Sequence, residues 1–204
     1  MTVKETYEID LFGDYYLSPV RLSDSESTYR AFIRPEITDN LAGPATDNYT
    51  LQDAIDFLSS CEKQEKEVLY PLVWGIRSRK VSSPTLIGCI DIRPSQIVKG
   101  QEGHIPDPNL KEPFAIFGFW LDTDYRRKGI TSAALRALVY EVGVKQYKIS
   151  HFYGNCFAGN IGSRKTFESV GFKFVQLAKD GAIKLVPYQV RDEERFALIL
   201  DQNL

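Results

Sequence analysis

The residues best placed to do chemistry lie between positions 121 and 134. An apolar run ends at Leu121, a loop gathers Arg126, Arg127 and Lys128, and Gly129 leads into Ile130, Thr131, Ser132, Ala133 and Ala134. The first turn of a helix carries unpartnered N–H groups and roughly half a positive charge. Gly129 permits a tight turn, and the small side chains after it let an anion approach the backbone. The segment therefore suits phosphate, and a pyrophosphate best. Neither a Gly-x-x-x-x-Gly-Lys-Ser/Thr loop nor a Gly-x-Gly-x-x-Gly run occurs, which removes the nucleoside-triphosphatase and dinucleotide fingerprints. Read by itself, the segment fits a solvated basic turn equally well.

Groups able to move protons are few. His151 has an imidazole, whose ordinary pKa of about 6.5 suits proton transfer. Its alternation with Ile149 and Tyr153 also fits a structural histidine. Asp91, Glu112 and Tyr153 are the other candidates for a general base, and His104 reads as a surface residue. Two separated histidines and three scattered cysteines, Cys61, Cys89 and Cys156, make no metal site. Cys156 reads as packing rather than as a nucleophile.

These residues need elements to position them. Alternating Tyr7, Ile9 and Leu11, then Gly13-Asp14, then residues 15–21 predict strand, turn and strand. Ser23 with Glu26 predicts a capped helix that ends around Pro35, and a polar loop covers 39–49. Thr50 caps a helix with Leu51, Ala54, Ile55 and Leu58 at i, i+3, i+4 and i+7. Strands are predicted at 68–77, 85–92, 114–121, 148–153, 172–178 and 195–200. Helices carry Leu135, Leu138, Val139 and Val142, and then residues 160–170, closed by Gly171-Phe172. The polar stretch at 94–112 is long for a connection, and reads as a mobile connector or a functional flap. Together these elements give an α/β (α+β mixed) single domain over 1–204.

The chain has 204 residues, 43% hydrophobic and 25% charged, with a net charge of −2, which suits a folded domain and argues against a nucleic-acid surface. Scattered cysteines, no apolar leader at the N-terminus and no run of about 20 apolar residues predict a soluble, cytoplasmic protein with no membrane partner.

Arg126-x-x-Gly129-x-Thr131 resembles the pyrophosphate motif of the GNAT N-acetyltransferase superfamily, with Thr131 in place of the usual small residue. Phe119-Trp120-Leu121 lies where that family's central strand splays. Asn160-Ile161-Gly162-Ser163, Phe167 and Gly171-Phe172 resemble its later helix motif. Leu17 to Leu22 and Gly118 to Leu121 are most similar to the branch containing ribosomal-protein N-terminal acetyltransferases. The resemblance implies a central mixed, mostly antiparallel sheet flanked by helices. It implies acetyl-CoA as co-substrate and a primary amine as acceptor, on a small molecule or a protein N-terminus, in a monomer or homodimer.

Implied cofactor-binding residues are Phe119, Trp120, Leu121, Arg126, Arg127, Lys128, Gly129, Ile130, Thr131, Ser132 and Asn160. A backbone N–H near Leu121 would meet the oxyanion. Many relatives have a proton-donating tyrosine where this chain has Phe167, so Ser163 stands in as acid. A carboxylate common near residue 116 is here Ile116, so the base stays open among His151, Asp91, Glu112, Tyr153 and a water chain leading to solvent. Phe167 and Ile116 keep open a non-catalytic acyl-CoA-binding module.

Overall fold

The computed structural model describes residues 7–42, 48–80, 86–185 and 187–201. Thr85, residues 43–47 of the expected loop, and both ends of the expected 1–204 domain lie outside the described residues. The strands are β1 (Ile9–Asp10), β2 (Tyr15–Pro19), β3 (Val73–Ser78), β4 (Gly88–Pro94), β5 (Phe114–Leu121), β6 (His151–Phe157), β7 (Lys173–Lys184) and β8 (Gln189–Ile199). They form one sheet in the order β1-β2-β3-β4-β5-β6-β8-β7, antiparallel throughout except between β5 and β6. The helices are α1 (Ser25–Phe32), α2 (Pro35–Thr38), α3 (Leu51–Val68), α4 (Ile130–Ala137) and α5 (Ile161–Val170). This is the mixed α/β, mostly antiparallel architecture expected.

Period two along the strands sends Ile90, Ile92 and Phe117 to one face, where they share a core with Leu135, Leu138, Val139 and Val142. Those four helix residues are all fully buried, so the expected stripe is real. Each such side chain contributes about 1.5–3 kcal/mol of burial. The helix itself changes gauge after Ala137. Residues Leu138–Val144 form a π turn, with Lys145 N–H reaching Tyr140 C=O at 3.1 Å.

Local signals hold where side chain and backbone agree. Thr50 Oγ1 accepts from Asp53 N–H at 3.2 Å, and Asp53 returns the bond to Thr50 N–H at 2.7 Å. Gly171, at φ 106°, closes α5. The expected cap at Ser23 and Glu26 gives way to Asp24, which accepts from Arg21 N–H at 2.8 Å. Tertiary pairing decides this, because Asp24 is buried in a two-pronged ion pair with Arg77, each prong 2.7 Å. α3 continues to Val68, where a strand was expected. Its last turns are strong helix formers, and Leu69 ends it at φ 60°. β6 starts later than expected, at His151, and β7 and β8 form a longer hairpin than the sequence pattern implies.

The polar stretch at 94–112 packs against the sheet. Ile105 is buried with Phe114, Ile116, Tyr153 and Ala197. The Arg195 guanidinium donates to the carbonyls of Gly103 and Ile105 at 2.8 and 3.2 Å, and Asn155 Nδ2 donates to His104 C=O at 2.9 Å.

Candidate active site

The site begins where two strands part. β5 pairs with β6 from Phe114↔His151 to Phe117↔Gly154, whereas its pairing with β4 continues to Leu121. Asp122 N–H bonds Ile87 C=O at 2.9 Å, and Phe114 C=O accepts from Ser95 N–H at 2.8 Å. Even-numbered residues of β5 thus face β4, and alternation turns the amides of Phe119 and Leu121 toward the gap left by β6. This is the expected splay.

Beside the gap the chain makes an anion cradle. Arg127 and Gly129 both take left-handed conformations, at φ 61° and 79°, and Gly129 caps α4. A Cβ at Gly129 would meet nothing within 4 Å, so its conformation, not crowding, asks for glycine. The helical ladder opens with Ala133 N–H to Gly129 C=O at 3.0 Å, so the amides of Ile130, Thr131 and Ser132 have no helical partner. Alternating backbone handedness and free amides form a nest that fits a diphosphate. Arg127 carries no ion pair among the described residues and is one of the residues lining this space. Arg126 instead donates to Leu121 C=O and Glu36 C=O at 3.2 and 2.7 Å, bracing the loop.

A cavity of about 390 Å³ runs along this cradle and brings together Phe119, Trp120, Leu121, Arg126, Arg127, Gly129, Ile130, Thr131, Ser132 and Asn160 of the implied cofactor-binding set. Lys128 is the exception: its ammonium turns away to Asp124 C=O at 2.8 Å and the Tyr125 ring. Ile37, Asn40, Leu41, Lys165 and Thr166 also line the cavity and were missed, because α2, the distant loop after it and the second turn of α5 carry them there. Asn160 Oδ1 caps α5 by accepting from Ser163 N–H at 3.2 Å.

On the other side of the splay lies a second cavity of about 520 Å³. Phe119, Trp120 and Ser163 line both, so the two spaces meet at the strand gap. Asp91, Arg93, Asn155 and Glu193 line the second space. Asp91 stands across from Gly118, where a Cβ would come within 2.6 Å of its Oδ2. Burial holds the Asp91 carboxyl above its ordinary range, outweighing the opposing pull of Arg93 and of the Gly118 N–H.

His151 lines neither cavity. It starts β6 at the paired end of the strand and meets Ser150 Oγ at 3.1 Å, about 13 Å of strand away from Asn155. The base expected at His151 is therefore on the wrong side of the pairing. Of its alternatives, Asp91 lines the cavity; Glu112 and Tyr153 do not. Cys156 reaches the second cavity, but burial, with Glu194 and Glu193 nearby, pushes its thiol up to about 12. It is a poor nucleophile. Phe167 is buried in a ring cluster with Phe119, Phe172 and Phe196.

The sheet thus parts at one parallel junction, beside a helix start whose free amides open onto a cavity. The family profile of the acetyltransferase (GNAT) domain matches residues 15–173, and the chain belongs to that family of N-acetyltransferases. The ribosomal-protein-S5-alanine acetyltransferase of Vibrio fischeri is 16% identical, with TM-score 0.74 over 96% of this chain and 97% of that one. The microcin C7 self-immunity acetyltransferase MccE, in complex with acetyl-CoA and AMP, is 18% identical, with TM-score 0.70 over 93% and 94%. RimL, a ribosomal L7/L12 alpha-N-protein acetyltransferase in complex with coenzyme A, is 15% identical, with TM-score 0.71 over 97% and 100%. These likenesses share the fold. A search of curated protein sequences gives no match. No helix among the described residues is long and apolar enough to cross a membrane.

Proposed function

We propose that this chain moves an acetyl group from acetyl-CoA to a primary amine by direct attack, without an acetyl-enzyme. The observation that carries the reading is the meeting of two cavities at Phe119, Trp120 and Ser163, one with a phosphate cradle and one with the half-buried Asp91 carboxylate. The amides of Ile130, Thr131 and Ser132, with Arg127, bind the diphosphate. Asp91 takes the proton from the acceptor ammonium, its raised pKa bringing it closer to the operating pH. The freed amine attacks the thioester carbonyl. The Phe119 or Leu121 N–H donates to the oxyanion. As the C–N bond forms and the C–S bond breaks, the Ser163 hydroxyl, which makes no hydrogen bond of its own among the described residues, donates one to the departing sulfur. The neighbours named as coenzyme A complexes support the co-substrate. The free Cys61, Cys89 and Cys156 suit a reducing cytoplasm.

Ser163→Ala should lower kcat about 10–100-fold with the KM for acetyl-CoA nearly unchanged, measured by thiol release. A change in KM alone would show that Ser163 only shapes the groove. Buried Phe167 and Ile116, where relatives carry acid and base, favour the second reading, a binding module. Calorimetric heat with acetyl-CoA, and no thiol release with any amine, is its signature.

A further inference from the structure

The two cavities share more wall than the strand gap. Asn40 and Leu41 line both, Ile37 lines the first and Ala42 the second. Residues 34–42, which are α2 and the turn after it, thus form a strap across the place where the two spaces meet. Two clasps hold its first half to the cradle loop. Arg34 donates to Asp122 Oδ2 at 2.7 Å and to Thr123 Oγ1 at 2.6 Å, and Arg126 donates to Glu36 C=O at 2.7 Å. Buried Ile37 anchors the middle.

The second half depends on residues far off in the chain. The amides of Asn40 and Leu41 bond within the strap, to the carbonyls of Ile37 and Thr38. Among the described residues, the hydrogen bonds from 39–42 to other elements all belong to Asp39. Lys184 Nζ donates to its Oδ1 at 2.7 Å, and the Arg191 guanidinium to its C=O at 3.3 Å. The ion pair is lopsided: the Lys184 side chain is 6% exposed and that of Asp39 is 64% exposed. A buried ammonium must keep a partner, and among the described residues Lys184 has Asp39 alone. The exposed carboxylate can take its bonds from water instead. The β7–β8 hairpin is therefore the fixed side of this clasp, and the strap is the side it holds. Lys184 itself lines neither cavity. We propose that Lys184 is a positioning residue for acetyl transfer: through Asp39 it holds Asn40 and Leu41 at the junction, as a wall common to cofactor and acceptor. The assignment rests on the transferase reading for the identity of the two ligands.

Hydrogen exchange and calorimetry test it in the full chain, with coenzyme A as the probe. Lys184→Met keeps the apolar stem and removes the charge. The amides of Asn40 and Leu41 should then exchange about 10–100-fold faster, the range of one charge-assisted hydrogen bond, while those of α4 and β5 keep their protection. The Kd for coenzyme A should rise about 3–30-fold, as the binding-competent strap becomes a smaller share of the free protein. Saturating coenzyme A should return much of the lost protection, because a ligand that prefers the closed strap must also favour it. Lys184→Arg should restore most of both readouts. Lys179→Met, which breaks an exposed pair with Asp192 on the same hairpin, should change neither. Asp39→Asn loses the charge but keeps an oxygen for Lys184; it should show the same changes to a smaller degree, and it carries the test if Lys184→Met does not fold. Unchanged exchange at Asn40 and Leu41, an unchanged Kd, or loosening spread equally over the sheet overturns the assignment while leaving acetyl transfer intact. No heat with coenzyme A from the parent protein overturns both.

Discussion

Gly129→Asp separates the two jobs of the cradle. Gly129 is the N-cap of α4 at φ 79°, and its Cβ position is open. Asp and Asn tolerate that backbone region better than most residues, and either side chain can cap the helix. The apo protein should therefore change little in melting temperature with either substitution. Binding should change sharply with one. A carboxylate about 6 Å from a phosphate charge, at an effective dielectric of about 20, is repelled by about 2–3 kcal/mol, or ~30–150-fold in Kd. Gly129→Asn supplies the same bulk without the charge, so the Asp–Asn difference isolates the electrostatic part. Calorimetric titration with coenzyme A at low and moderate salt measures both variants, and the difference should shrink as salt rises. Equal Kd values for Asp and Asn would refute a diphosphate at the amides of Ile130 to Ser132.

Further outcomes follow from buried charges. Asp91→Asn should cut kcat about 100–10,000-fold if that carboxylate is the base, and should remove the acid-side limb of the kcat/KM pH profile. Because burial raises its pKa, the folded state binds the Asp91 proton more tightly than the unfolded chain does. That stabilisation is full below the ordinary carboxylate pKa and is lost as pH rises through the raised value. The parent should thus lose stability against Asp91→Asn from acid to neutral pH in urea melts; an unchanged difference would place the group at its ordinary pKa. Asp24→Ala removes one side of a buried pair and should destabilise by about 3–5 kcal/mol, whereas Asp24→Leu with Arg77→Met should recover most of that. A loss under about 1 kcal/mol in denaturant melts would mean the pair is open to water.

Which parts of this site could be read from the sequence follows from how far apart its residues lie in the chain. The cradle was legible because residues 126–132 form one continuous turn, in which handedness, small side chains and helix start coincide. Lys128 defeated the reading even there. A loop of three cations does not say which of them the backbone carbonyls will claim, and here the Leu121 and Glu36 carbonyls take Arg126, Asp124 C=O takes Lys128, and Arg127 alone is left. The core of α4 was legible for a similar reason, since burial fixes its stripe even though the turn at Leu138–Val144 widens to a π form. His151 failed because its residue type is right and its register is wrong. Only the pairing Phe114↔His151 shows that it sits at the closed end of the parallel junction.

The acceptor side is a stricter case. Alternation alone puts Asp91 and Arg93 on one face of β4, but nothing in residues 88–94 says whether that face meets solvent or a cavity. The answer comes from strands over 60 residues away in the chain, Asn155 on β6 and Glu193 on β8, and from a packed connection at 94–112 that composition marks only as polar. Their convergence depends on a single structural fact, the parting of β5 from β6 after Phe117↔Gly154. Had the two strands stayed paired to Leu121, the amides of Phe119 and Leu121 would be spent in the ladder, and Asn155 would face a closed sheet. The same break that frees donors for an oxyanion also opens the passage between the two cavities. Gly118 stands immediately before it, opposite the Asp91 carboxylate, with no side chain of its own to fill the space.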